Sequence, residues 1–478
     1  MGELVDLHPG VEKVLERYRP LVPDWAAFLE ACARPLPTCG WISPARSGFE
    51  QVAALDGIRY SELGWRAGGV KFDALPSMAE SLAYRAGLFH VQEEASMLPV
   101  ALLAPGEQDR VLDLCAAPGN KTAEIAASMG GRGSVVANDR AGARLNVLRT
   151  TLDRLGLPNV SVTTLDGRSP QWPDGHFDAV LVDAPCSCEG TIRKHPRAPL
   201  GTGAAQRAGL ADLQTALLVN ALRATRPGGR VVYSTCTFAP EENESVVARA
   251  LAAVPGTDLL PVDLPGLAYS PGITSWQGEA YPEAIRRSLR LWPGQIDAGG
   301  FFAAVLVRGR QSVADRPDVS GVGARPDSVA ADVIGFFGEY FGLPDRWAEA
   351  FAFRVRRGKS LDVTDAGHDP DLDLAVSDRG FSLARLTGRV PKLTTQGALL
   401  LGASVSRQWV GLSRADALAF MRGTPTRPAM ASSDEYGYVQ VRTQGLPIGV
   451  GVFDPDTRVL TSQYPGAWAG LGPPGDAG

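Results

Sequence analysis

The sequence predicts an α/β protein. Its centre is a doubly wound, Rossmann-like parallel sheet, with a small α+β module before it and further modules after it. Three observations carry this. Between about residues 80 and 310, short apolar runs alternate with segments of helical periodicity, the pattern of strands joined by crossover helices. The runs are apolar throughout rather than at every second position, as strands covered on both faces require. Past residue 308 the composition turns polar and aperiodic, with Gly and Pro, before periodic segments resume.

In chain order, residues 1–78 form the first module. Val11–Tyr18 and Trp25–Ala33 are helical, and strand-like pieces are expected near Gln51–Val52 and Gly69–Phe72. Residues 79–310 form the main domain, with strands at 111–115, 134–139, 160–166, 177–185 and 231–237 and a last one at 301–307. Helices are expected at Lys121–Met129, Ala141–Leu155, Ala211–Thr225 and Glu241–Ala253. Residues 311–328 read as a linker. A small α/β module follows at 329–411, with helices expected at Val329–Phe341 and Asp345–Phe353. The last module, 412–478, opens with a helix over Arg414–Arg422 capped by Ser413. It continues as alternating strands over Tyr436–Thr461 with glycine turns at Gly445 and Gly449–Gly451, and the tail after Tyr464 is expected to fray.

At 478 residues the chain is too long for one ordinary domain. Its 45% hydrophobic and 21% charged residues argue against disordered or fibrous classes. No apolar run reaches the roughly 20 residues that span a bilayer, so no membrane association is expected. The N-terminal residues lack an export pattern, and six cysteines in so long a chain do not make a secreted disulfide framework. A monomeric cytoplasmic enzyme is the expectation. With a net charge of −5, any attraction to a polyanion has to be local.

The strongest local signal is V-L-D-L-C-A-A-P-G-N-K-T at 111–122: a buried strand, a tight turn of small residues, then a helix. Cys115, Ala116, Ala117, Pro118, Gly119, Asn120 and Lys121 make a loop whose backbone a ligand can approach, at a helix N-terminus that favours a carboxylate. The next strands end in Asp139, Asp166 and Asp183, and acids at consecutive strand ends line one crevice. The dinucleotide pattern G-x-G-x-x-G is missing. An aminoacyl nucleoside such as S-adenosylmethionine fits better, with Asp139 on the ribose hydroxyls, Asp166 at the adenine edge and the 115–121 loop at the methionine end.

Cys186 and Cys188 follow one strand of this domain, and Cys236 lies in another. Asp183 stands three residues before Cys186. A thiolate is a strong nucleophile once its surroundings lower its pKa, but position alone leaves a nucleophile, a core thiol and a metal ligand open. The spacing lacks the paired pattern of a zinc site, so no metal is expected.

Several segments resemble the Sun (Nol/Nop/Sun) family of RNA cytosine-5 methyltransferases. They are GLFHVQEEASMLPV (87–100), LDLCAAPGNKT (112–122), VVANDRAGARLNVL (135–148), DAPCSCEG (183–190), RPGGRVVYSTCTFAPEENESVV (226–247) and GGFFAAVLVR (299–308). The resemblance implies that Cys236 is the nucleophile, that Cys186 assists product release and that Asp183 acts on the cytosine ring. It also implies S-adenosylmethionine as cofactor and a flipped or single-stranded RNA base as substrate. Cys188 stands where relatives carry Gly and is read as a tolerated small residue.

Downstream, AFRVRRGK (352–359), LSRADALAFMRGTP (412–425) and YVQVRTQGLPIGVGVFD (438–454) resemble the RsmF-like ribosomal RNA branch of that family. This implies a PUA-like RNA-binding module at the C-terminus and 16S (small-subunit) ribosomal RNA, free or in an assembly intermediate, as partner. Arg193, Lys194 and Arg197 are candidate phosphate contacts. The rival readings are a transfer RNA cytosine-5 methyltransferase and an RNA-binding assembly factor whose catalysis is dispensable.

Overall fold

The computed structural model describes residues 7–44, 46, 49–169, 172–309, 327–368, 376–433 and 435–469. The core is the expected parallel sheet. Its strands are β1 (Arg110–Asp113), β2 (Ser134–Asn138), β3 (Val160–Thr163), β4 (Phe177–Asp183) and β5 (Thr225–Thr235), in spatial order 3-2-1-4-5 and all parallel. The order reverses between β1 and β4, and the crevice at their C-terminal ends is where an open α/β sheet takes its ligand. Phe301–Arg308 extends the β5 side antiparallel, and further antiparallel strands pair with it in turn. Val111, Leu112, Val135, Val180, Leu181, Val231 and Val232 are buried, as expected of strands covered on both faces.

The helices between strands start and stop for local reasons. Asn120–Ser128 opens at Gly119, whose φ of +114° suits a residue without Cβ. A Cβ there would also come within 2.8 Å of Leu148 Cα. Leu145–Leu155 has its apolar residues Leu145, Leu148, Leu152 and Leu155 at helical spacing and ends at Gly156 in the left-handed region. The helix before β5 begins at Ala204, earlier than its periodicity suggested, because its first turns are exposed and carry no apolar stripe.

Two expected elements change type. Residues 49–56 form a helix rather than a strand, since Phe49, Val52, Ala53 and Asp56 share one buried helical face. The helix expected at 345–353 is a single 3₁₀ turn, Trp347–Ala350, leading into a strand, Phe351–Arg356. That strand pairs along its whole length with Ser360–Asp365, and this pairing overrides the local helical pattern. Most of the linker, 310–326, and most of the C-terminal tail, 470–478, lie outside the described residues. The tail residues before that, Gly466–Ala469, form a short helix that buries Trp468.

The flanking modules are tied into the core. Phe49, Val52, Phe72 and Phe89 share a hydrophobic core with Val410, Leu412, Phe420, Val441 and Trp468, so the N- and C-terminal modules pack on one another. Val376–Arg379 leaves the C-terminal region to pair antiparallel with β3 and extends the central sheet. Val410, Val439, Val441, Val450 and Leu460 are buried in the C-terminal five-stranded sheet. Ser413 caps the helix Arg414–Met421 as expected, accepting from the Asp416 amide. No helix among the described residues is long and apolar enough to cross a membrane.

One buried cation binds the segment 84–90, whose strand Phe89–Val91 joins the first module's sheet, to the cofactor side of the central sheet. Arg154 donates to the Tyr84 and Phe89 carbonyls and to His90 Nδ1 (2.8 Å), and its guanidinium lies 3.9 Å from the Tyr84 ring centroid. Because His90 Nδ1 accepts, its Nε2 carries the proton and donates to Asn120 Oδ1 at 3.1 Å. Burial and the Arg154 charge push the imidazole down to about 3, so it stays neutral. Arg154→Met leaves the Phe89 carbonyl and the His90 ring nitrogen buried without this donor, while the Tyr84 carbonyl keeps the Gly87 amide. It is expected to destabilise the protein by about 2–6 kcal/mol, given about 1–3 kcal/mol for each of the two orphaned groups, and urea unfolding checks this.

Candidate active site

The loop after β1 is shaped by its neighbours. The Ala116 amide donates to the Asn138 carbonyl (2.7 Å), and the Ala117 amide to Asp139 Oδ2 (3.1 Å). The Ala117 carbonyl accepts from Arg144 (2.9 Å). Asp139 Oδ1 accepts from the Ala141 amide (2.8 Å), and each carboxylate oxygen keeps a further lone pair for a hydroxyl. Cys115 lies in the loop, its thiol raised well above the usual range by burial. Asn120 is held by His90.

The other expected cofactor residues divide. Asp166 lies three residues past β3 and is gripped by its neighbour Arg168 through Nε (3.0 Å) and Nη2 (2.5 Å), which hold its carboxyl down at about 2. It is therefore a fixed anionic acceptor at the rim. Lys121 turns towards the next strand instead, forming an ion pair with Asp183 at 2.8 Å. Burial alone would pull the lysine down, but the charge and hydrogen bond of Asp183, with the nearby Cys236 and Asp113, together outweigh it and push the ammonium up. Asp183 also accepts from Ser234 Oγ (2.8 Å), which links β4 to β5. Lys121 and Asp183 join the cofactor loop to the thiols.

The thiols converge from two loops. Cys186 Sγ is 3.4 Å from Cys236 Sγ and 3.9 Å from Cys188 Sγ. Hydrogen bonds from Cys186 and Cys236 pull the exposed Cys188 thiol down. The same bond to Cys188, then the one with Cys236 and burial, push Cys186 up. For Cys236, the bond from Cys186 works downward but is outweighed by Cys188 and burial. Of the three thiols, only the most exposed one is shifted towards the thiolate.

Residues that the sequence reading did not single out hold these loops. Glu242 Oε2 accepts from the Ser187 amide (3.0 Å) and from Gln214 Nε2 (2.9 Å), and Gln214 also donates to the Pro185 carbonyl (2.8 Å). Ser187 Oγ meets Thr237 Oγ1 at 2.6 Å, and the Gly190 amide donates to the Cys236 carbonyl at 2.9 Å. Behind them Tyr18 donates to buried Glu189. Two adjacent acids in E-E-N, just before a helix, were the available signal, but they read equally well as a helix start. Asp113, also missed, is pushed up to about 7 by burial. It accepts from Thr122 Oγ1 (2.6 Å), while its other oxygen is buried without a partner.

Arg193 corrects an expectation. It is buried and spends its donors on the Arg34, Pro35 and Ala298 carbonyls and Asp297 Oδ1, so it is an internal brace and not a phosphate contact. Lys194 and Arg197 remain exposed on the same loop.

The donor set fits S-adenosylmethionine. A loop of small residues meets the start of a helix, Gly119 tolerates no side chain, and Asp139 offers acceptors suited to vicinal hydroxyls. With the 3-2-1-4-5 sheet, these features define an S-adenosylmethionine-dependent methyltransferase. The family profile described as 16S rRNA methyltransferase RsmB/F matches residues 100–307. The ribosomal RNA small subunit methyltransferase F of Aeromonas hydrophila is 32% identical over 460 residues, covering 89% of this chain and 90% of that protein. The chain thus belongs to the RsmF-like branch of the Sun family.

The protein of the same name from Enterobacter sp. is 38% identical over 311 residues, or 61% of this chain and 62% of that one. Among solved structures, a methyltransferase homolog protein from Pyrococcus horikoshii superposes with a TM-score of 0.54 at 30% identity, covering 63% of this chain and all of that one. The fold likeness extends to NSun6 from Pyrococcus horikoshii with SFG, at a TM-score of 0.51, 20% identity and coverage of 63% and 98%.

If Asp139 holds the ribose, Asp139→Ala loses charge-assisted hydrogen bonds, about 1.5–3 kcal/mol. Calorimetric titration with S-adenosylmethionine should then show roughly tenfold to hundredfold weaker binding. Gly119→Ala puts a Cβ against Leu148 in a left-handed loop and should cost about 1–3 kcal/mol of stability along with cofactor affinity. Thermal melting with and without cofactor reads both effects.

Proposed function

We propose that this protein methylates carbon 5 of a cytosine in RNA, with small-subunit ribosomal RNA as its substrate, through a covalent bond between Cys236 and the base. The observation that carries the reading is the 3.4 Å approach of Cys186 and Cys236 beside the Lys121–Asp183 pair, at the rim of a cofactor crevice. The names of the relatives, ribosomal RNA small subunit methyltransferase F, support the substrate.

Carbon 5 of cytosine is a weak nucleophile. Attack of the Cys236 thiolate on carbon 6 forms a sulfur–carbon bond and moves the ring electrons onto carbon 5. Bound S-adenosylmethionine supplies an electrophilic sulfonium methyl for that carbon. Carbon 5 then carries both a methyl group and a proton. Cys186, as thiolate, takes the proton, the 5,6 double bond returns, and Cys236 leaves as thiolate. A raised pKa makes Cys186 the stronger base once it is deprotonated. Asp183, paired with Lys121 and accepting from Ser234, accepts also from the exocyclic amine of cytosine. The exposed Lys194 and Arg197 support a local phosphate contact on a chain of net negative charge. The C-terminal module, read as PUA-like, assists in placing the RNA.

Mapping 5-methylcytosine in ribosomal RNA with and without the protein tests the substrate. A modified cytosine in the small-subunit RNA that disappears with the protein is the expected result, and a changed transfer RNA with unchanged ribosomal RNA favours the rival substrate. Denaturing electrophoresis after incubation with RNA and S-adenosylmethionine tests the chemistry. Cys236→Ala should give neither methylation nor a covalent band. Cys186→Ala should give a persistent band through Cys236, because loss of the carbon 5 proton is hindered. A band in Cys236→Ala, or none in a folded, cofactor-binding Cys186→Ala, sinks the assignment.

A further inference from the structure

The methyl transfer leaves one thiol without a job. Cys188 sits at φ +57°, in the left-handed region where glycine is the unstrained choice, and its sulfur lies 3.3 Å from the Cys186 carbonyl oxygen. The chain holds a thiol in this strained position, facing the other two. All three sulfurs lie within 4.8 Å of one another, with Cys186 at 3.4 Å from Cys236 and 3.9 Å from Cys188. Zinc–thiolate bonds of about 2.3 Å in tetrahedral geometry separate their sulfurs by about 3.8 Å. Two edges of the triangle lie within a few tenths of an ångström of that separation, and the third is no longer than 4.8 Å, so modest side-chain shifts fit a soft cation.

We propose that Cys186, Cys188 and Cys236 form a three-thiolate site for a soft divalent or monovalent cation of the zinc, cadmium or cuprous type. The fourth position opens on the solvent side, where Cys188 is exposed, and takes water or a small thiol. Binding makes three metal–sulfur bonds. Each thiol still protonated loses its hydrogen to buffer, so capture releases protons and tightens with pH. The nearby Lys121 ammonium offsets part of the excess negative charge of three thiolates around one ion. Capture occupies the nucleophile and the release thiol together, so the loaded enzyme is silent until the metal is withdrawn. That consequence rests on the proposed reaction, whereas the site itself does not.

The test is a titration of the full chain with zinc against a chromophoric chelator and with cadmium by thiolate-to-metal ultraviolet absorption, both without RNA. One ion per chain, with absorption for three thiolates, is expected. Cys188→Gly fits the local backbone, so loss of fold does not confuse the result. It should weaken binding at least about tenfold to a hundredfold, the loss that even an outer-shell partner brings, and should lower the thiolate count by one. Cys236→Ser should do the same. Failure of the wild-type chain to bind one ion, or equal affinity in Cys188→Gly, overturns the site. Zinc added to the methylation assay separates the two claims. Inhibition reversed by chelator supports both, while Cys188-dependent binding with undiminished methylation upholds the site and overturns the assignment of Cys236 and Cys186 to the reaction.

Discussion

The candidate active site depends on one buried carboxylate. Glu242 is fully buried, and burial pushes its pKa up, which is the cost of placing a charge there. In return, a single oxygen receives the Ser187 amide and the Gln214 side chain, and Gln214 reaches on to the Pro185 carbonyl. Three elements thus meet at one acceptor: the loop after β4, the long helix before β5, and the turn that leads out of β5. Two flexible loops become one rigid wall. Without this wall the sulfurs of Cys186 and Cys236, 50 positions apart, would have no reason to stay at 3.4 Å. Catalytic groups on loops are useful only when such supports hold them.

A second chain of contacts ties this wall to the cofactor loop. Asp183 ends β4, takes the Ser234 hydroxyl from β5 and pairs with Lys121 on the helix that follows β1. Lys121 stands next to Asn120, which His90 holds, and His90 in turn is fixed by Arg154. Polar contacts therefore run from Arg154 and His90 through the cofactor loop to Asp183, at the start of the loop that carries Cys186. The shared core of the N- and C-terminal modules and the added strand Val376–Arg379 brace the far side of the sheet. The modules read from composition therefore pack against one another, and single substitutions disturb that packing less than truncation does.

Much of the main domain was legible because its signals are local or strictly periodic. The five parallel strands, the Gly119 turn and the acids at strand ends depend on burial on both faces and on short-range backbone geometry, which residue order encodes directly. Errors arose where pairing partners decided. Residues 351–356 look helical in isolation, yet a full-length antiparallel partner at 360–365 makes them a strand. Residues 49–56 were too short a segment for strand and helix patterns to be told apart, until a buried face chose the helix. Arg193 read as one of a basic run because neighbouring residues are basic. Only the packed structure reveals three carbonyls and a carboxylate around it.

The sequence by itself determined the sheet and marked the loop after β1, the acids at the strand ends and the thiols as candidates, because each lies in a short segment with its own pattern. Tertiary structure alone decided the distances. It made Lys121 a partner of Asp183, gave Glu242 its clamp, and drew Cys188 into a triangle with Cys186 and Cys236 whose spacing along the chain carries no metal signature. The physical reason is that hydrogen bonds and ion pairs between loops depend on separations of a few ångströms in space, and residue order says nothing of these until the strands beneath the loops have paired.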